Sequence, residues 1–122
     1  MKKILDECWT KETSADPENW IPDNPSWGQC AVTACIVNDY LGGKIVWANV
    51  NVSGENISHY FNNIDGKEVD LTRKQFPHGT VVPQGIDKAK TFPTTRDYVL
   101  SFEKTVERYA LLKSIVEQKA KA

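Results

Sequence analysis

Three residues of the chain have the side chains that a thiol nucleophile requires: Cys30, His59 and Asp70. A thiolate attacks a carbonyl carbon, an imidazole takes up and returns the proton, and a carboxylate orients the imidazole. The three residues are distant in sequence, so the elements that carry them decide whether this chemistry is possible.

Cys30 follows a turn that leads into an apolar helical segment, predicted over about residues 26–41. Two N-terminal caps fit this helix. Ser26 with Gln29 forms a capping box, or Asn24 caps a helix that starts with the following proline. We expect Cys30 in the first turn, and either start leaves it near the helix N-terminus, where the helix dipole and the unpaired N–H groups stabilise a thiolate.

The residues just before Cys30 are candidates for an oxyanion site and a pocket. The backbone N–H of Cys30 is a natural oxyanion donor at the helix start, and the side chain of Gln29 is a second candidate. Trp27 either lines a pocket beside Cys30 or packs against the helix as a hydrophobic staple.

His59 and Asp70 are predicted to lie on neighbouring strands of a β-hairpin. Alternating apolar residues predict three strands, over residues 45–52, 57–64 and 67–71. Asp65-Gly66 is typical of a two-residue type I′ turn, which fixes the register of the last two strands. In that register His59 is diagonal to Asp70, with Cβ atoms roughly 7–8 Å apart, within reach of an imidazole–carboxylate hydrogen bond.

Each of these residues also has a simpler structural interpretation. Cys30 could be an ordinary buried helix cysteine, and His59 a solvated strand residue. Asp70 could serve only to cap a helical turn over residues 71–76. Asn62 replaces Asp70 as the third residue only if the strand register shifts, because in the predicted register it points to the opposite face.

The chain as a whole predicts one α+β domain over residues 1–122. A short helix is expected over residues 2–12, and a long C-terminal helix is expected to begin at Thr94 or Thr95. Residues 77–93 are irregular and either face the substrate or form plain surface. The apolar stripe of the last helix is wide enough to be buried in a monomer, so no oligomer is predicted. This stripe consists of Tyr98, Phe102, Val106, Tyr109, Leu112 and Val116.

Charge and cysteine content favour a cytoplasmic protein. The net charge is −1, from 15 basic and 16 acidic residues, which gives no electrostatic case for binding nucleic acid or an anionic membrane. The three cysteines form no regular framework, and the chain starts without an apolar signal segment. Cys8 and Cys35 lie on apolar helix faces and are expected in the core.

Four blocks of the sequence resemble the YunG-like family of small bacterial proteins, and this resemblance runs from about Trp20 to Leu112. The blocks are Trp27–Ala34, Ser58–Asn62, Gly66–Thr72 and Arg96–Ser101.

The order of the elements is similar to that of papain-like and transglutaminase-like cysteine enzymes, whose nucleophile lies at the N-terminus of a central helix packed on an antiparallel sheet. This resemblance implies a papain-like core in which Cys30 is the nucleophile, His59 the base and Asp70 the residue that orients it. Gln29 departs from the pattern, because papain-like proteases place their oxyanion glutamine several residues before the cysteine. The chain is also short for a protease.

Two hypotheses of function follow. The first is a cysteine-dependent hydrolase or acyl transferase that acts on an amide, isopeptide or thioester bond of a small molecule or peptide. The alternative is a non-catalytic module that keeps a papain-like shape and binds such a ligand. A metal site from the same three residues is a weaker idea, because the sequence has no CxxC, HxxxH or HExxH spacing. We therefore expect neither metal nor cofactor.

Overall fold

The computed structural model describes residues 2–121, so residues 1 and 122 of the predicted domain lie outside it. The helices in this range are α1 (Lys2–Cys8), α2 (Cys30–Leu41), α3 (Thr95–Val99) and α4 (Glu103–Lys121). The strands are β1 (Lys44–Val52), β2 (Glu55–Ile64) and β3 (Lys67–Val69). Short 3-10 turns lie at Lys11–Thr13, Pro17–Asn19 and Arg73–Gln75. The architecture is therefore α+β, as predicted.

The strands form one antiparallel sheet in the order β1-β2-β3. Both hairpins turn through two residues with positive φ, Ser53-Gly54 at 52° and 87° and Asp65-Gly66 at 52° and 84°. The second turn pairs Asn62 with Val69, which confirms the predicted register. Because β3 ends at Val69, earlier than predicted, Asp70 follows the strand and does not pair within it.

Helix α2 begins at Cys30, later than the predicted start near Ser26. Both predicted caps are wrong, because Gln29 is the N-cap residue without a side-chain capping bond and Asn24 lies in a preceding turn. The physical reason is Gly28, whose φ of 72° is outside the helical region and prevents the helix from extending further back. The prediction that Cys30 lies in the first turn is confirmed.

Helix α2 forms the centre of the core. All residues from Val32 to Val37 are buried, as expected for a helix that is apolar on most of its circumference. Side chains of α1 and α4 pack on one side of it, and Ile45 of β1 and Val99 of α3 pack on another. Cys8 and Cys35 are both fully buried, as predicted.

The N-terminal helix is shorter than predicted. It ends at Cys8, because the side chains of Thr10 and Thr13 each accept a hydrogen bond from the other residue's backbone N–H and start a separate turn. Such a reciprocal cap satisfies N–H groups at the start of a new turn. The predicted helix over residues 2–12 is therefore divided into two pieces.

The predicted C-terminal helix is also broken in two. Helix α3 has the predicted cap, Thr94, whose side chain accepts a hydrogen bond from the N–H of Asp97, but it ends at Val99. The backbone N–H and the hydroxyl of Ser101 both donate to the carbonyl of Tyr98. These bonds close the helix with a tight turn, and a separate helix α4 follows.

This break exposes part of the predicted apolar stripe. Leu112 and Val116 are buried as expected, whereas Phe102 is 50% exposed and Val106 is 42% exposed. No helix within residues 2–121, α4 included, has both the length and the apolar content needed to cross a membrane.

The irregular segment over residues 77–93 lies partly along the outer edge of β1. Trp47 and Ile86 exchange two backbone hydrogen bonds of 2.7 and 2.8 Å. Gly85 packs so closely on Val46 that a Cβ at this position would collide with the valine side chain. This segment therefore shields an edge that could otherwise pair with another strand.

Candidate active site

The imidazole of His59 is fully buried and is held on both sides by aromatic rings. The ring of Phe61 stacks on it with centroids 5.3 Å apart, and the ring of Phe76 meets it edge-on at 4.9 Å. Its Nε2 atom lies 2.7 Å from Oδ2 of Asp70. The interpretation of His59 as a solvated strand residue is therefore wrong. Side chains alternate between the two faces along β2, and that of His59 lies on the buried face.

The carboxylate of Asp70 has two distinct sets of partners. Oδ2 is bound to His59, while Oδ1 accepts hydrogen bonds from the backbone N–H and the hydroxyl of Thr72 at 3.2 and 3.4 Å. Asp70 thus binds both the imidazole and the turn that follows it, but Thr72 and not Asp70 is the N-cap residue of the 3-10 helix Arg73–Gln75. The bonds from Thr72 fix the carboxylate in place.

Cys30 lies partly exposed at the start of α2. The first hydrogen bond of the helix joins the N–H of Thr33 to the carbonyl of Gln29, at 3.0 Å. The N–H of Cys30 precedes this bond and has no acceptor within its own helix. A backbone donor is thus available beside the sulfur, which is the geometry an oxyanion needs.

The structure brings Cys30 into electrostatic contact with His59. Burial disfavours the charged imidazolium, but the interactions of the ring with Asp70 and Cys30 outweigh this effect and raise the pKa of His59 to about 9. Because Nε2 is bound to Asp70, Nδ1 is the nitrogen left for Cys30. In residues 2–121 this buried Nδ1 has no partner with regular hydrogen-bond geometry, and the influence of Cys30 on the pKa of His59 combines a looser hydrogen-bond contact with charge.

The side chain of Gln29 is held by hydrogen bonds inside the protein. Its side chain is fully buried, its Nε2 donates to the carbonyl of Thr10 at 2.9 Å, and its Oε1 accepts from the hydroxyl of Thr13 at 2.8 Å. These bonds tie the N-terminal segment to the start of α2. The side-chain amide of Gln29, which was a candidate oxyanion donor, therefore makes its hydrogen bonds to Thr10 and Thr13 in the protein interior.

The polar atoms of Trp27 bind the segment that contains Ser14 and Asp16. Its Nε1 donates to Oδ2 of Asp16 at 3.1 Å, and its carbonyl accepts from the hydroxyl of Ser14 at 2.7 Å. The indole thus holds the turn before Cys30 against the segment that contains Asp16.

Gln75 is a residue near the site that sequence reasoning missed, because it lies beside two exposed cationic residues in a short turn. It is buried, and its Oε1 accepts from the N–H of Gly28 at 3.2 Å. Its Nε2 donates to the carbonyl of Thr72 at 3.1 Å, and its own carbonyl accepts from Asn24 at 3.1 Å. Gln75 therefore joins the turn before Cys30 to the turn after Asp70.

Arg108 and Tyr60 are two further neighbours that sequence reasoning missed. Burial lowers the pKa of Arg108, and the charge of Cys30 acts in the opposite direction. Burial, together with Tyr98 and Cys30, raises the pKa of Tyr60 to about 12. Arg108 comes from α4 and Tyr60 from β2, so the influence of Cys30 on their pKa values arises only in the folded chain.

The remaining polar candidates have other environments. Asn62 donates from Nδ2 to the carbonyl of Ala34 at 3.0 Å and joins β2 to α2, so it is not the third residue of the site. His78 is exposed. In the part of the chain that the structure describes, no three His, Cys, Asp or Glu side chains are grouped as ligands for a metal ion.

Two concave surfaces border this region. One, of about 990 Å³, lies beside Asp70 and is lined also by Ser26, Phe76 and residues 77–80 of the irregular segment. The other, of about 400 Å³, lies between α4 and the residues that follow the first 3-10 turn, with Arg108 in its wall.

The fold and the site define an α+β protein in which a cysteine at a helix start lies beside a buried histidine–aspartate pair. The family model described as YunG protein matches residues 1–121, and the chain belongs to this family. A relative, "Uncharacterized protein YunG" of Bacillus subtilis (strain 168), is 37% identical over 76 residues. The match covers 62% of this chain and spans 60% of the relative's length. No solved structure matches the chain.

Proposed function

We propose that the protein is a cysteine-dependent hydrolase or acyl transferase that acts on an amide, isopeptide or thioester bond. The observation that carries this proposal is the His59–Asp70 pair: a buried imidazole is bound through Nε2 to a fixed carboxylate at 2.7 Å, beside Cys30. A structural histidine would satisfy both ring nitrogens within the protein, whereas Nδ1 has no hydrogen-bond partner in residues 2–121.

In the proposed resting state, His59 is an imidazolium at neutral pH because its pKa is raised to about 9. Its positive charge and the start of α2 stabilise a thiolate at Cys30. The thiolate attacks the carbonyl carbon of the substrate, and the electron pair of the C=O bond moves to the oxygen. The N–H of Cys30 donates to this oxyanion.

The tetrahedral intermediate then collapses and expels the amine or thiol. Nδ1–H of His59 gives its proton to the leaving group, and an acyl thioester remains on Cys30. The neutral imidazole next takes a proton from water, or from an acceptor amine, as that nucleophile attacks the thioester. Release of the carboxylic acid or the new amide restores the thiolate–imidazolium pair.

The arrangement also supports a papain-like core as part of the proposal. A helix that begins with the nucleophile packs on an antiparallel sheet. His59 lies on β2, and Asp70 directly follows β3. This order of parts is the one that papain-like enzymes use.

Alkylation of the native protein tests whether the thiol is activated. Burial raises the pKa of Cys8, and burial raises the pKa of Cys35 to about 12, so these residues are internal references. We expect iodoacetamide at pH 7 to label Cys30 about tenfold or more faster than either reference and faster than glutathione. His59→Ala should slow this reaction, while the exposed His78→Ala should not. A rate for Cys30 no greater than that of glutathione would refute the proposal.

Acyl transfer is tested separately with p-nitrophenyl acetate. We expect release of p-nitrophenolate and one acetyl group on Cys30, detected by mass spectrometry and absent from Cys30→Ser. A fast alkylation rate without any acetyl-enzyme would contradict the catalytic proposal and favour a papain-like module that binds its ligand without turnover.

A further inference from the structure

Arg108 is a partly buried cation without an anionic partner in the structure. Its Nη2 donates to the hydroxyl of Thr105 at 3.1 Å, whereas its Nε is buried and has no hydrogen-bond partner in residues 2–121. No carboxylate in the same range lies within 4.0 Å of its guanidinium. A buried donor without a partner is unfavourable, so the unpaired Nε of Arg108 requires an explanation.

The contrast with Arg96, the other partly buried arginine, is direct. Arg96 forms an ion pair with Asp39 at 2.8 Å and donates to the carbonyl of Cys35 and to Oδ1 of Asn38, both at 3.0 Å. Both terminal nitrogens of Arg96 therefore have partners in the protein. Arg108 has five N–H donors, and within residues 2–121 only its Nη2 has an acceptor.

The concave surface beside Arg108 is bordered by residues that bind the turn before Cys30. The concave surface of about 400 Å³ that Arg108 lines is bordered by Ser14 and Ala15. These two residues hold the turn before the cysteine, because Ser14 donates to the carbonyl of Trp27 at 2.7 Å and Ala15 donates to that of Gly28 at 2.8 Å. The charge of Cys30 also acts on Arg108 directly. The cation thus lies in the wall of an open concavity whose border residues, Ser14 and Ala15, bind the turn before Cys30.

The charge around this concavity is mixed. Lys104, one turn before Arg108 on α4, adds a second cation, and Glu12 and Glu107 also line the surface. Neither glutamate pairs with Arg108 in the structure. The guanidinium, partly buried and planar, is the group suited to bind an anion with more than one hydrogen bond.

We propose that Arg108 binds a carboxylate of the substrate close to the bond that Cys30 attacks. The substrate class is then an acyl compound with a free carboxylate near the scissile carbonyl, such as a peptide with an acidic side chain or a free C-terminus. This inference rests on the proposed function, because it assigns a subsite to the same thiol. Arg108 would be a specificity residue, with the rest of the site supplying the chemistry.

Two alkylating reagents that differ in one charge test the subsite without knowledge of the substrate. Iodoacetate has a carboxylate next to the reacting carbon, and iodoacetamide has a neutral amide there. The iodoacetate-to-iodoacetamide rate ratio at Cys30 is measured at a pH where both rates have reached their plateau, so that the ionised fraction of the thiol does not affect it. We expect this ratio to exceed that of glutathione by about five- to tenfold.

Substitutions then assign the preference to one residue. Arg108→Gln should abolish it, Arg108→Lys should keep part of it, and Lys104→Gln, which removes the same charge from an exposed side chain, should change the ratio less than about twofold. Circular dichroism and thermal melting confirm that each variant is folded. Since Arg108→Lys retains the cation, it remains informative if the glutamine variant is unstable.

The outcomes separate this inference from the function on which it rests. If Cys30 reacts with both reagents no faster than glutathione, the proposed function fails. If Cys30 is fast but Arg108→Gln leaves the ratio unchanged, the carboxylate subsite is refuted and the proposed function stands. If Arg108→Gln slows both reagents equally, Arg108 only positions the thiol, and the subsite is again refuted.

Discussion

The Nε2 atom of His59 and the Oδ2 atom of Asp70 are 2.7 Å apart, although Asp70 lies just beyond the end of the paired strand β3. The carboxylate is exposed over 13% of its side chain, and the imidazole is not exposed at all. A short ion pair with a fully buried member must change the protonation of that member. The protonation of His59 is therefore the quantity from which the most direct tests follow.

Asp70→Asn should lower the pKa of His59. Burial, the largest influence on this imidazole, disfavours its charge, and Asp70 is the first group that opposes burial. Without the carboxylate, we expect the midpoint to fall from about 9 by at least one pH unit, and the alkylation rate of Cys30 at pH 7 to fall about tenfold. An NMR titration of the histidine ring signals measures the midpoint.

The control for this variant is Asp65→Asn, which removes the same charge from the hairpin turn and keeps a residue that tolerates positive φ. It should leave the His59 midpoint unchanged. His78 gives a second signal in the same spectrum. An Asp70→Asn protein with the wild-type midpoint would show that the carboxylate does not hold the imidazolium.

The raised pKa of His59 also predicts how stability depends on pH. The folded pKa of about 9 lies above the ordinary value of 6.5, so the folded state binds the proton more tightly. The stabilisation that comes from this tighter proton binding is fully present below pH 6.5 and is lost as the pH rises through 9. We expect the free energy of unfolding, measured with urea, to fall by up to about 3 kcal/mol across this interval.

Other groups titrate in the same interval, so the informative quantity is the difference between wild type and Asp70→Asn. The two proteins should converge in stability as the pH rises, because the variant has lost the interaction already. Parallel curves from pH 6 to pH 10 would contradict the assignment.

Local patterns in the sequence were sufficient for the parts of the site that depend on one turn or one strand. Asp65-Gly66 fixed the register, and alternation along β2 then placed His59 on the side where Asp70 could reach it. The position of Cys30 in the first turn of α2 also followed from a local change in apolar pattern.

Contacts between residues distant in sequence could not be predicted from local patterns. Gln75 and Arg108 reach the site from a 3-10 turn and from α4, and no local pattern distinguishes them from their exposed charged neighbours. The predicted caps are wrong because Gly28 has a positive φ and packs so closely on Ser14 that only glycine fits, and such a contact between segments has no local sequence pattern. In the same way, a side-chain bond from Ser101 ended α3, where apolar spacing alone favoured a continuous helix.

Gln75→Ala should destabilise the protein and disturb the thiol together. The substitution leaves the partly buried N–H of Gly28 without its partner and removes the side-chain bond to the carbonyl of Thr72, which keeps only the backbone N–H of residue 75. We expect a loss of about 1–3 kcal/mol in the free energy of unfolding, and a slower alkylation of Cys30 because the turn before it is no longer fixed. Lys74→Ala, in the same turn but exposed, should change neither quantity.

Gly28→Ala should lower the free energy of unfolding by more than the strain of an alanine at positive φ accounts for. Both Gly28 and Gly79 have positive φ, 72° and 86°, so alanine is strained at either position. A Cβ at Gly28 would also collide with Oγ of Ser14 and lie 3.0 Å from the backbone N of Ala15, whereas a Cβ at Gly79 meets nothing within 4 Å. We expect Gly79→Ala to cost about 1 kcal/mol.

Gly28→Ala should cost more, in the upper range of about 1–3 kcal/mol that overpacking typically causes, and should slow alkylation of Cys30 because the turn must move. The difference between the two glycine variants, measured by urea unfolding, isolates the steric contact with Ser14 from the backbone strain that they share. If both variants lose the same free energy and Cys30 reacts at its normal rate in each, close packing of this turn does not position the thiol. In that case the geometry at Cys30 depends on the cap of α2 and on Gln75 alone.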